Sequence, residues 1–75
     1  MKDDYQIGCE AAEASVDAHG YCVPETMAWE FMIGVYDEIE PETADRMRAL
    51  PALSKRFVDG YGYRGAVLIL EAEND

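Results

Sequence analysis

The chain has 75 residues, enough for one domain (1–75) and no second, and 49% of it is hydrophobic. Sixteen acidic residues stand against six basic ones, a net charge of −10. That balance excludes nonspecific binding to nucleic acid or to anionic membranes and favours a basic protein surface as partner. A domain of this size buries only about 60% of its unfolded surface, so its many large apolar side chains predict a docking face or a homodimer.

In chain order, Asp3 or Asp4 caps a first helix that runs to about His19 and stops at Gly20. Tyr5, Cys9, Ala12 and Val16 form one inward stripe, and Ile7, Ala11, Ala14 and Ala18 a second. The opposite face, Asp3, Gln6, Glu10, Glu13 and Asp17, reads as an acidic ridge. After a short connection, Pro24 opens a helix that ends near Glu40, because a residue before proline is pushed out of helical geometry. Residues 24–39 are apolar on nearly all sides, with only Glu30, Asp37 and Glu38 left for water. A helix of that kind must be covered on nearly all sides, so it is read as the centre of the fold. Met27, Phe31 and Val35 mark its inward side; Trp29, Ile33 and Tyr36 mark the side expected to meet a partner or a second copy.

Pro41 starts another helix, Glu42 to Leu50, with Ala44, Met47 and Leu50 inward and Glu42–Arg46 and Asp45–Arg48 pairs on its surface. Pro51 opens a short helix through Leu53, Phe57 and Val58 that stops at Asp59-Gly60. Residues 61–72 are compatible with a helix or a strand, with helix preferred, and Glu71 to Asp75 with a frayed end. The expected fold is all-α: four to five short helices around residues 24–39. Its expected core is Val16, Met27, Phe31, Met32, Val35, Met47, Leu53, Phe57 and Leu68.

The charge is unevenly spread. Residues 1–45 hold twelve acids against Lys2 alone, whereas residues 46–64 hold five cations against Asp59. Two acidic surfaces follow, the ridge Glu10, Glu13 and Asp17 and the turn Asp37, Glu38, Glu40 and Glu42. Like charges so close repel, a cost that suggests the charge is used. Trp29, Tyr36, Tyr61 and Tyr63 are the aromatic candidates for a binding surface, since such residues dominate interface energetics.

The sequence gives no support to catalysis, a metal or a cofactor. His19 is the only imidazole and sits at a helix end, Cys9 lies on an inner helix face, and no metal, phosphate or dinucleotide motif is present. MKDDYQIGCE lacks the basic and apolar parts of a signal peptide, so a cytoplasmic protein with reduced Cys9 and Cys22 is expected; a disulfide between them is the alternative.

In size, acidity and lack of catalytic residues the chain resembles phage-encoded anti-defence proteins, the anti-CRISPR and anti-restriction inhibitors, several of which mimic nucleic acid. The resemblance is one of composition and carries no residue over. It implies a non-enzymatic inhibitor that presents an acidic surface to a basic nucleic-acid-binding site of a larger protein. The alternative is a small adaptor or assembly module that binds through exposed aromatic and aliphatic residues.

Overall fold

The computed structural model describes residues 2–50 and 52–74, which form four helices and no strand among the described residues. They are α1 (Asp4–His19), α2 (Glu25–Ile39), α3 (Pro41–Arg48) and α4 (Lys55–Asn74). The all-α expectation holds, and residues 61–72 are helical.

Helix ends follow local chemistry. Gly20 closes α1 in the left-handed conformation (φ 79°), and its N–H donates to the Val16 carbonyl at 2.8 Å. Asp3 precedes α1 without a side-chain capping bond; its carboxylate pairs with Arg56 instead. The Pro24 carbonyl accepts the N–H groups of Met27 and Ala28 in the first turn of α2. Glu40, at φ −155°, separates α2 from α3 as Pro41 requires. Pro51 itself lies outside the described residues, but Ala52 to Ser54 are not helical, so the helix expected to run from Pro51 through Leu53 begins later. α4 starts at Lys55, where the Phe57 N–H points to the Ser54 hydroxyl at 3.5 Å, the arrangement of a capping serine.

The spine of the fold is a parallel pair, α1 against α4, in register from Asp3–Arg56 through Gly8 beside Phe57 and Tyr61 to Glu13–Arg64. Two glycines allow it. A methyl group on Gly8 would lie inside contact distance of the Phe57 carbonyl oxygen and 2.7 Å from the Tyr61 nitrogen. One on Gly60 would collide with the Tyr5 carbonyl oxygen and lie 3.0 Å from its carbon. Buried Gly8, Ala11, Ala12 and Ser15 give α1 a flat inner side. That side falls between the two stripes expected from the sequence: Tyr5, Cys9, Ala14 and Val16 are half-buried and Ala18 is exposed.

Gly60 was therefore misread as a helix stop. A glycine stop needs a left-handed residue, and Gly20 alone has that conformation among the described residues. Gly60 continues the helix and supplies the contact, and one 20-residue helix replaces a short helix plus an ambiguous tail. Packing against α1 offsets the roughly 1 kcal/mol by which a glycine disfavours a helix interior.

α2 lies antiparallel to α1, with Tyr36 beside Glu10 and Met27 near Ala18 and His19. Only one of its faces is covered, by α1, α3 and Phe57 of α4, so it is not a centre wrapped on nearly all sides, a correction to the sequence reading. Its face is also reversed. Ala28, Trp29, Met32 and Tyr36 are buried, while Met27 and Phe31 are each 56% exposed. An all-apolar helix gives periodicity nothing to distinguish, and the position was decided by fit. The small residues of α1 and α4 leave room for the largest rings: Trp29 meets Phe57 edge-on at 4.7 Å, and Phe57 lies nearly parallel to Tyr61 at 5.9 Å.

Of the other expected core residues, Met32, Met47 and Phe57 are buried and Val16, Val35, Leu53 and Leu68 half-buried. Leu50, expected inward, is exposed. Ile7, Ala44 and Thr43 complete the centre.

The connection Gly20 to Val23 is pinned from inside. The Ser15 hydroxyl donates to the Tyr21 carbonyl at 2.8 Å and accepts the Val23 N–H at 2.9 Å, and the Tyr61 hydroxyl donates to the Val23 carbonyl at 2.5 Å. Cys9 and Cys22 carry free thiols.

Thermal melts of four alanine variants check this packing. Gly60→Ala should lose at least about 2 kcal/mol, because backbone rather than a flexible side chain must move. Gly34→Ala, in open space on α2, should gain about 0.4–1 kcal/mol. Phe57→Ala should lose about 3–5 kcal/mol, whereas Phe31→Ala should lose less than about 1 kcal/mol. Equal losses for the two phenylalanines would contradict the placement of α2.

Candidate protein-binding surface

Every basic side chain in the chain is engaged within the fold. Lys2 pairs with Glu10 at 2.7 Å, Arg46 with Asp4, Arg64 with Glu13 at 3.0 Å and Lys55 with Asp59 at 3.5 Å. Arg56 pairs with Asp3, and Arg48 with Asp37 and, at 3.4 Å, with Asp45. The expected Asp45–Arg48 pair is present, but Arg46 turns from Glu42 toward α1, where it also donates to the Lys2 carbonyl at 2.9 Å.

These pairs divide the sequence-predicted acids. On the ridge, Glu10 is half-buried, held by Lys2 and by the Tyr36 hydroxyl, which donates to it at 3.2 Å. Glu13 is held by Arg64, and Asp17 is exposed with no ion pair among the described residues. In the turn, Asp37 is held by Arg48, while Glu38, Glu40 and Glu42 have no such partner among the described residues. The ridge thus works largely as a set of staples between α1 and its neighbours. Among the described residues the uncompensated charge lies at Asp17, at Glu25 and Glu30 of α2, at the α2–α3 corner, and at Glu71 and Glu73 near the end of α4.

The aromatic candidates divide too. Trp29, Tyr36 and Tyr61 are core residues, at most 8% exposed, and are not on the surface. Their hydroxyl or ring edge is satisfied inside: Tyr36 by Glu10 with the Lys2 ammonium 5.6 Å from its ring, Tyr61 by Val23. Tyr63 is exposed.

The sequence reading missed the outer face of α2. Met27, Glu30, Phe31, Gly34 and Glu38 share it by helical spacing, and all are exposed. The signal was present: Met27 and Phe31 lie three before and one after Glu30, the residue already assigned to water. Between this face and α1 is a groove of about 140 Å³ lined by Ala11, Ala14, Ala18, Val23, Met27 and Phe31, with Ser15, His19 and Ala28. A broader open shelf of about 530 Å³ lies on the other side, where Cys22 and Pro24 meet Gly62, Gly65 and Ile69 of α4.

Burial pushes the Cys9 thiol up, holding it in its protonated, poorly nucleophilic form, and its sulfur lies 3.6 Å from the Gly60 carbonyl oxygen. His19 stands beside the Tyr21 ring at 5.8 Å. Among the described residues no helix is long and apolar enough to cross a membrane, and no cluster of His, Cys, Asp and Glu is arranged to hold a metal ion. No protein-family model, curated protein or solved structure matches the chain.

Two surface pairs give the fold an acid dependence. The Arg56 guanidinium holds Asp3, and that of Arg48 holds Asp37, below the usual carboxylate range. A depressed folded value means the stabilisation is fully present above the ordinary carboxylate pKa, about 3.9, and is lost as pH falls through the depressed values. Melting temperature should therefore drop below about pH 4. The drop should be shallower in Arg48→Gln, which lacks one of the two contributions. An unchanged pH profile in that variant would remove the Asp37 pair from the account.

Proposed function

We propose that this protein is a non-enzymatic inhibitor that lays an acidic surface on the basic nucleic-acid-binding site of a larger protein. One observation carries the reading: the fold uses all of its cations internally and leaves Asp17, Glu30, Glu38, Glu40 and Glu42 without an ionic partner among the described residues. The unpaired Asp, Glu, Lys and Arg charge among the described residues is then of one sign. Its carboxylates would stand in for phosphates, meet Lys and Arg of the partner and exclude the nucleic acid by competition. Of the two acidic surfaces, the α2–α3 corner is the better candidate, because Glu10 and Glu13 are already held by Lys2 and Arg64. The phage anti-defence inhibitors are the class this reading fits, and the cytoplasm is the compartment it calls for.

A second reading has its own support. The exposure of Met27 and Phe31 suits an adaptor or assembly module, self-association included, held by apolar contact.

Affinity capture with the tagged chain, followed by binding measurements on the captured protein, separates the two. The inhibitor reading predicts that the partner is a nucleic-acid-binding protein and that the chain displaces its nucleic acid. Affinity should fall at least about tenfold between about 0.1 M and about 0.5 M salt, because salt screens a contact built from charge. Replacing Glu38, Glu40 and Glu42 together by Gln should weaken binding comparably without lowering the melting temperature. Full affinity in that variant together with indifference to salt would leave the adaptor reading standing.

A further inference from the structure

We propose that the groove between the second half of α1 and the first half of α2 is the anchor site for a basic amphipathic helix of the partner. That helix would insert an apolar side chain between Met27, Phe31 and the alanines of α1. The proposal rests on the acidic-surface reading and adds to it a place and a partner chemistry.

The groove is built for a side chain rather than a metabolite. Its volume of about 140 Å³ is well below the roughly 300–1,000 Å³ typical of small-molecule sites. Ala11, Ala14 and Ala18 make one wall low and smooth, so an incoming helix can approach the α1 backbone closely. Met27 and Phe31, one turn apart and more than half exposed, form the other wall, and methionine re-packs readily around an inserted group. A channel between two antiparallel helices is also the geometry into which a third helix packs its ridge of side chains.

Charge selects the occupant. Neither Asp17 nor Glu30 lines the groove, but Asp17 is the i+3 neighbour of Ala14 on α1 and Glu30 that of Met27 on α2; both are exposed and neither has an ionic partner among the described residues. The groove is thus apolar, with one unpaired carboxylate neighbouring each of its walls. A second copy of the chain fits it poorly: each copy carries a net charge of −10, and its Lys and Arg side chains are already engaged. A nucleic acid would be repelled outright. A helix with Lys or Arg flanking a Leu, Met or Phe ridge satisfies the groove and its neighbouring carboxylates together.

The test uses two synthetic peptides of about 14 residues, roughly four helical turns, made of the same numbers of Leu and Lys. One places Leu at i, i+3, i+4 and i+7; the other is scrambled so that no apolar face forms. Because their charge is equal, any preference reports the groove. The amphipathic peptide should bind at least about tenfold tighter, the effect of burying one large apolar side chain. Its NMR footprint should centre on the Met27, Ala14 and Ala18 methyl groups. Phe31→Ala, confirmed as folded by its melting curve, should abolish the preference, and Asp17→Asn with Glu30→Gln should weaken both peptides. Equal binding of the two peptides, a footprint elsewhere, or an unchanged preference in Phe31→Ala would overturn the proposal. Movement of the Met27 signals with protein concentration alone would also overturn it, since a second copy would then cover the groove. Replacing Glu38, Glu40 and Glu42 by Gln should leave the peptide preference intact, so failure of the groove and failure of the acidic-corner reading are seen separately.

Discussion

At Gly8 and Gly60 the backbones of α1 and α4 approach until no side chain fits between them, and the rest of the molecule is arranged around that contact. A Cβ at either position would strike backbone atoms of the opposite helix, which cannot turn aside as a side chain can. The approach fixes the parallel register of the two helices and sets Phe57 and Tyr61 where Trp29 can pack on them. α2 then packs with Trp29 and Tyr36 inward and Phe31 outward. Everything α2 then shows to solvent follows from what it buries.

The same register determines how the charge is divided. Arg56 reaches Asp3 and Arg64 reaches Glu13 across the α1–α4 seam, 53 and 51 residues apart in the chain. Lys2 and Arg46 tie the segment before α1 and its first turn to Glu10 and α3. Each surface pair stabilises little alone, because solvent screens the attraction. Their shared consequence is larger: a chain with few cations pairs every Lys and Arg with a carboxylate, and its four arginines join different elements of the fold. The remaining acids are turned outward uncompensated, a surface suited to a basic partner and to fast, salt-sensitive association.

Elements marked by local chemistry were legible from the residues alone. Gly20 ended α1 as its position required, and Pro41 split α2 from α3. The weakness lay where long-range fit decides. Gly60 has the same local signature whether it ends a helix or lets two helices touch, and only the presence of α1 distinguishes the two. Residues 24–39 were recognisably a helix, but one apolar on all sides carries no record of which side is covered; Trp29 and Tyr36 were sent outward and Met27 and Phe31 inward. The acidic character of the site was readable by counting, whereas the neutralisation of Glu10 and Glu13 depended on partners brought close only by folding. Ser15, which holds the turn before α2, was hidden among the small residues of its helix.

Native-state amide hydrogen exchange tests the primacy of the α1–α4 contact most directly, because it ranks the helices by the free energy needed to open them. The slowest amides should lie together in Ile7 to Ser15 of α1 and Phe57 to Gly65 of α4 and share one opening free energy. Those of α2 and α3 should exchange sooner, through partial openings that leave the pair intact. If the amides of α2 outlasted those of both α1 and α4, α2 would be the true centre of the fold and the account given for Gly8 and Gly60 would be wrong.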